Sequence, residues 1–292
     1  MTEIDPLAEG ETWGGARWYD LADRESGAVR RVFLWLPPQS AGEVPPQGWP
    51  VLYMTDGNAV IATAIDAMRA QACYPSGTNT GWGVLVAVGY PTEEAYDPFR
   101  RSWDLGPPPG QSYPPFWEGG EVVRTGGGAE MARFLLEDVR PFVASKVRVN
   151  PDHQGLFGHS FGGLFALWLL FQDPRAFSHW IAASPAITWE ESFLLDHLAR
   201  FDAGGARPFV HLSAGEWEGE QLAPFQRQAE DAAKRLQDKA KTRTIAAAQE
   251  MAAALATHPG VTAEYETYAG ENHMSVLPVA VNRALQRVFA LG

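Results

Sequence analysis

One cysteine, Cys73, stands in 292 residues. No disulfide can form within the chain, and a lone thiol of this kind is most simply a small buried apolar residue. Basic residues are also scarce: 23 Lys and Arg against 35 Asp and Glu leave a net charge of −12. That shortage excludes a broad basic face, and with it nucleic acid as the expected partner. It leaves room for an anionic ligand in a locally positive pocket. No apolar run approaches the ~18 residues of a membrane span. The opening stretch, MTEIDPLAEGETW, has neither a basic start nor an apolar segment, so it does not read as an export signal. A cytoplasmic chain that uses no membrane is the expectation.

What is present is a core. Hydrophobic residues make up 46% of the chain, enough for a globular domain. Eleven Trp and fifteen Phe mostly fill it, with some available to line a pocket for a flat ligand. Seven apolar runs end in glycine or polar turns: VRRVFLWLPP, WPVLYMTDGNA, WGVLVAVGY, HQGLFGHS, HWIAASP, RPFVHLSAGE and TAEYETYAGENH. Residues 51–54, 84–88 and 209–212 are nearly all apolar, as strands buried on both faces of a parallel sheet must be. Helix-period segments lie between them. Met131, Phe134, Leu135, Val139, Phe142 and Val143 share one stripe, which Pro141 is expected to kink. The segment after Ser160 is apolar nearly all round and predicts a buried helix. Residues 221–257 read as one long helix or two. Leu277, Val281, Leu285, Val288 and Phe289 form a last amphipathic helix.

Strands alternating with helices predict an α/β fold with a mostly parallel sheet. No repeat or interdomain linker interrupts residues 1–292, so a single domain without a large cap is expected. The odd stretch is Tyr90–Gly128, which holds GPPPGQSYPPFWEGG and RTGGG. A segment of this length rich in Pro and Gly is expected to act as a lid.

Gly158-His159-Ser160-Phe161-Gly162 matches G-x-S-x-G between a predicted strand and a predicted helix. Such a turn projects the serine hydroxyl at the carboxyl edge of the sheet, with the next helix aiming its N-terminus at the site. His159 lies inside the turn and reads as a packing residue. A serine hydroxyl needs a base. Of the later histidines, His197 falls in a helix, His211 in a strand, and His258 at a helix end before Pro-Gly. His273, in YAGENHMSV, sits in a loop between the last strand and the last helix. It is the expected base. The acid should follow the strand at 209–212, where Glu216, Glu218 and Glu220 all lie. Glu218 is preferred, then Glu216, and a Ser–His dyad stays open. Two oxyanion donors are needed: the amide of Phe161, and that of Asn58 or Gly57 in MTDGNA.

With those residues in place, the chain resembles the putative-esterase branch of the α/β-hydrolases, closest to siderophore esterases that open enterobactin, salmochelin or bacillibactin. The stretches that carry the resemblance are LYMTDGNAV, VAVGYPTEEAYDPFRRSWDLGPP, RTGGGAEMARFLLEDVRPFV, GLFGHSFGGLFALWLL, FSHWIAASPAITW and YAGENHMSV. It implies the α/β-hydrolase fold, Ser160 as nucleophile, His273 as base and an oxyanion donor near Asn58. No cofactor and no metal are expected. Arg101 holds the arginine place of the family's R-x-[YF]-D-x-T-P pattern, which implies that it faces the substrate. Arg100 and Arg124 in the same segment could add positive charge, and Trp189 is a further candidate for substrate contact. The expected activity is hydrolysis of a siderophore ester, with or without iron. A general carboxylesterase for small acyl or aryl esters is the alternative. A non-catalytic binding protein on this scaffold is a third, against which intact Ser160 and His273 speak.

Overall fold

The seven apolar runs all form strands in the computed structural model, which describes residues 5–115 and 117–292. In chain order the strands are β1 (Ala8–Glu11), β2 (Arg17–Ala22), β3 (Val29–Trp35), β4 (Trp49–Thr55), β5 (Val84–Gly89), β6 (Ser112–Tyr113), β7 (Val123–Arg124), β8 (Val149–His159), β9 (His179–Ala183), β10 (Phe209–Gly215) and β11 (Thr262–Tyr268). The helices are α1 (Gly57–Ala72), α2 (Pro75–Thr78), α3 (Pro98–Leu105), α4 (Gly128–Arg133), α5 (Arg140–Lys146), α6 (Phe161–Gln172), α7 (Glu191–Ala199), α8 (Ala232–Thr242), α9 (Thr244–Leu255) and α10 (Val276–Val288). Contacts divide the chain into two compact units. The first comprises residues up to Leu156 together with Val281–Gly292, and the second Phe157–Ala280.

In the first unit β1, β2, β3 and β5 pair antiparallel in turn, and β4 pairs parallel to β5 with Val51 opposite Val84. Every residue of β5 is buried, the consequence of an apolar run covered on both faces. Strands β1 and β2 carry no clear strand signal in the sequence. The first, AEGE, has no apolar run, and the second hides its pattern behind Asp20, which is buried against the guanidinium of Arg31 at 2.7 Å. The stripe around Pro141 is not a simple kinked α-helix. Residues 134–139 form a π-helical stretch, in which the Arg140 N–H donates to the carbonyl of Leu135. Pro141 lacks an N–H, and widening the preceding turn is one way to accommodate it. Cys73, expected to be buried, is exposed just beyond the last turn of α1.

Several contacts tie the Tyr90–Gly128 segment to the rest of the first unit. Pro98 opens α3 and Asp97 caps it, accepting from the Arg100 N–H at 3.0 Å. Asp104 is held by Arg30 through two bonds of 2.9 and 2.7 Å, and Glu130 accepts from the same guanidinium at 2.8 Å. The GPPPG and TGGG stretches pack against each other. The Gly106 carbonyl accepts from Gly126 and Gly128, and a Cβ on Gly127 would strike the ring of Trp103. The glycines here serve close backbone approach. Phe116, within this segment, lies outside the described residues.

In the second unit β9, β10 and β11 are parallel, with Ala183 opposite Ser213 and Gly215 opposite Tyr268. The apolar helix after Ser160 is α6, and its residues from Phe161 to Leu170 are all buried. Residues 221–257 give two helices, α8 and α9, separated at Arg243, whose φ of 43° ends the first. Helix α9 buries Ala247, Ala248, Met251, Ala252 and Leu255, while α8 buries none of its residues. Among the described residues no helix is long and apolar enough to cross a membrane.

Candidate active site

The ends of four successive strands of the chain, β8 to β11, supply one site in the second unit. Ser160 follows β8 with φ 59° and ψ −115°, a conformation that non-glycine residues seldom adopt. Its N–H donates to Ala183 O, and its own carbonyl accepts from the N–H groups of Leu164 and Ala186, each at 3.0 Å. Gly158 permits the turn, because a Cβ there would collide with the Gly162 backbone. Phe161 begins α6, where the first amides have no acceptor within the helix. Its ring meets Trp189 edge-on at 4.8 Å.

His273 Nε2 lies 3.1 Å from Ser160 Oγ, and its Nδ1 lies 2.6 Å from Glu218 Oε2. The other carboxylate oxygen of Glu218 accepts from Ser184 Oγ at 2.5 Å and from the Gly215 N–H at 2.8 Å. Glu218 is 5% exposed, whereas Glu216 and Glu220 are exposed. Burial alone would raise the carboxyl pKa of Glu218. The bonds from His273, Ser184 and Gly215 outweigh it and hold the pKa below the ordinary value. An ionised acceptor on Nδ1 fixes the imidazole with its proton there. Nε2 then presents a lone pair to the serine hydroxyl.

The loop bearing His273 is clasped from two sides. Glu216, the second choice for the acid, accepts from the Gly270 N–H at 2.7 Å, and the Trp217 N–H donates to Glu271 O at 2.8 Å. Asn272 Oδ1 accepts from the Met274 and Ser275 N–H groups at 3.0 and 3.1 Å. His159 is more than packing. Buried at 3% exposure, its Nε2 donates to the carbonyl of His273 at 2.8 Å, and the two rings lie 4.7 Å apart. Neither His159 nor Ser184 was legible as a support of the site. Their only sequence signal is position, one beside the nucleophile and the other just past β9. The remaining candidates are engaged elsewhere. His211 bonds Glu264 and Tyr268, His258 packs on Phe201, and His197 packs on Phe171 and Phe193.

Ser160, His273, Glu218 and Trp189 line a cavity of about 380 Å³, together with residues of α8. Lys239 of α8 is among them, and it also lines a neighbouring cavity with Trp217, whose carbonyl accepts from its ammonium.

Several side chains among the candidates in the first unit have partners within that unit. Gly57 and Asn58 open α1 after Asp56, whose φ is 56°. The Asn58 side chain donates to the carbonyls of Tyr90 and Thr92 at 3.1 and 2.8 Å and accepts from the Tyr90 N–H at 3.0 Å. Arg101 forks Nε and a terminal nitrogen onto Asp56 at 2.7 and 2.9 Å, with both side chains largely buried. Arg100 donates to Val29 O at 2.7 Å and lies over the Tyr90 ring, while Arg124 is exposed on β7. Arg101 and Arg100 are thus each bonded within the first unit, through partners too distant in sequence to be foreseen. Arg101→Met should leave Asp56 as a buried, uncompensated charge. A loss of about 3–5 kcal/mol in urea unfolding is expected. A loss below about 1 kcal/mol would mean that the pair is solvated like a surface ion pair.

A serine at a strand–helix elbow, a histidine and a buried carboxylate on neighbouring strand ends define a serine hydrolase of the α/β-hydrolase kind. A family model described as "Putative esterase" matches residues 25–285, and the chain belongs to that family. It is 35% identical to the ferri-bacillibactin esterase BesA of Bacillus subtilis (strain 168) over 276 residues, 93% of this chain and 88% of that protein. It is 37% identical to the siderophore enterobactin esterase of Emericella nidulans over 227 residues, 74% of this chain and 73% of that one. The solved structure of the siderophore hydrolase EstA from Aspergillus nidulans is similar over 100% of this chain and 98% of its own, with a TM-score of 0.81 and 30% identity.

Proposed function

We propose that this esterase cleaves the ester bonds of a siderophore through an acyl-enzyme on Ser160. The observation that carries the mechanism is the continuous line of Ser160 Oγ, His273 and buried Glu218 at 3.1 and 2.6 Å. Ser160 Oγ attacks the ester carbonyl carbon while His273 Nε2 takes its proton. The negative charge that develops on the carbonyl oxygen is met by the N-terminus of α6 at Phe161. The carbon–oxygen ester bond then breaks, and His273 returns the proton to the departing alkoxide. Water repeats the sequence on the acyl-serine and releases a carboxylic acid. Each turnover yields one acid and one alcohol. Glu218 keeps its charge throughout, holding the ring in one tautomer and stabilising the imidazolium.

The substrate class is supported by the relatives at 35% and 37% identity, both siderophore esterases by name. The test is a panel of ferric and iron-free bacillibactin and enterobactin beside p-nitrophenyl acetate and butyrate. Turnover of at least one siderophore with kcat/KM about tenfold or more above that of the simple esters is expected. Efficient turnover of the p-nitrophenyl esters with none of any siderophore would favour a general carboxylesterase instead.

A further inference from the structure

Helix α8 helps to line the Ser160 cavity, yet it contributes nothing to the core. None of its eleven residues is buried, while Arg235, Asp238, Lys239 and Thr242 face the cavity. It meets α9 at Arg243, whose backbone is left-handed and whose guanidinium reaches Glu191 and Glu250 at 3.2 and 2.6 Å. A helix that adds little to stability but lines an active-site cavity has its remaining use in what the cavity admits.

The charges at this mouth are unequal in their commitments. Arg235 is neutralised by Asp231 at 2.7 Å, and Asp238 lies 3.9 Å from Lys241. Glu218 is buried and engaged by His273, Ser184 and Gly215. Lys239 differs from all of these. It is half-buried, the Glu218 carboxylate is the charge that acts on it, and among the described residues its hydrogen-bond partner is the neutral carbonyl of Trp217. An ammonium has three donors, so two remain for a ligand. Trp189 supplies an aromatic surface in the same cavity. On a chain of net charge −12, a partly desolvated cation at the site is a strong local exception.

We infer that Lys239, presented by α8, selects esters whose acyl portion carries a negative charge on or beside an aromatic ring. The inference rests on the reading of Ser160 as nucleophile. It names a cation that recognises substrate in the second unit.

The experiment compares two p-nitrophenyl esters of equal size, the 4-carboxybenzoate and the 4-methylbenzoate. The readout is the ratio of kcat/KM for the anionic ester to that for the neutral one. Lys239→Gln should lower the ratio by roughly tenfold or more, mainly through KM, and Lys239→Glu should lower it further. Lys239→Arg should retain most of it. Raising the salt concentration should depress the ratio in the wild type and leave it flat in Lys239→Gln. The rate at which a fluorophosphonate labels Ser160 reports separately whether the nucleophile is intact. Labelling with a ratio that stays within about twofold of wild type in Lys239→Gln would overturn the role of Lys239 and leave the serine-esterase reading standing. A salt-independent wild-type ratio would overturn it too, without recourse to any variant. Failure of the wild type to be labelled at all would remove the nucleophile, and this inference with it.

Discussion

Ser160→Ala is expected to abolish ester turnover, with a loss on the order of 10⁶ in kcat, and His273→Ala is expected to match it. The two losses should be nearly equal because the hydroxyl and the imidazole act as one unit. Without the base the hydroxyl is a poor nucleophile, and without the hydroxyl the base has nothing to activate. The double variant should therefore be little worse than either single one. Neither change should unfold the chain. Alanine suffers the same backbone strain as serine at φ 59°, and the His273 side chain is partly exposed, at 44%. Circular dichroism and thermal melts check the fold, and single-turnover kinetics check the chemistry. Activity within about tenfold of wild type in either variant would sink the mechanism.

Glu218→Gln should cost roughly 10³–10⁴ in kcat, by analogy with an Asp-to-Asn change in a serine triad. The carboxylate receives three donors: His273 Nδ1–H, Ser184 Oγ–H and the Gly215 N–H. An amide has only one oxygen, so its NH₂ must face at least one of them. If it faces His273, the ring is driven to carry its proton on Nε2 and can no longer accept from Ser160. Glu216→Gln should leave kcat within a few-fold of wild type, since Glu216 caps the Gly270 amide instead. Equal losses in both variants would assign the effect to the loop rather than to the acid. The same carboxylate sets a pH dependence of stability. Its folded pKa is lowered from 4.5, so its contribution is complete above that value and lost as the pH falls through the lower folded value. Urea melts below pH 4.5 should show an acid-limb loss that Glu218→Gln flattens.

Ser160 and His273 were legible because their signal is local. Each sits in a short glycine-marked loop at the end of a strand, and the order of strands alone brings such loops to one edge. The choice among Glu216, Glu218 and Glu220 was not local. Three glutamates within five residues differ only in burial and in the donors they find, and those donors come from Ser184 and His273, distant in sequence. The same holds for Arg101, whose partner Asp56 lies far up the chain. There the family pattern suggests a ligand contact, and the fold adds an ion pair that no local signal announces. Helix α8 was visible as a helix, yet its place over the cavity left no mark on its composition, because exposed helices share the same lysines, glutamines and alanines.

A helix that buries none of its residues is also a place where sequence can drift cheaply. Exposed substitutions away from caps and ion pairs usually change stability by no more than about 0.5 kcal/mol. In this chain the side chains of α8 that face Ser160 are among those that folding constrains least. Evolution can therefore retune what the enzyme accepts by rewriting one helical cassette, while the elbow, the buried glutamate and the parallel strands stay untouched. Libraries confined to residues 232–242 should yield a high fraction of folded members with altered preference, which makes α8 the natural starting point for redirecting this esterase to new substrates.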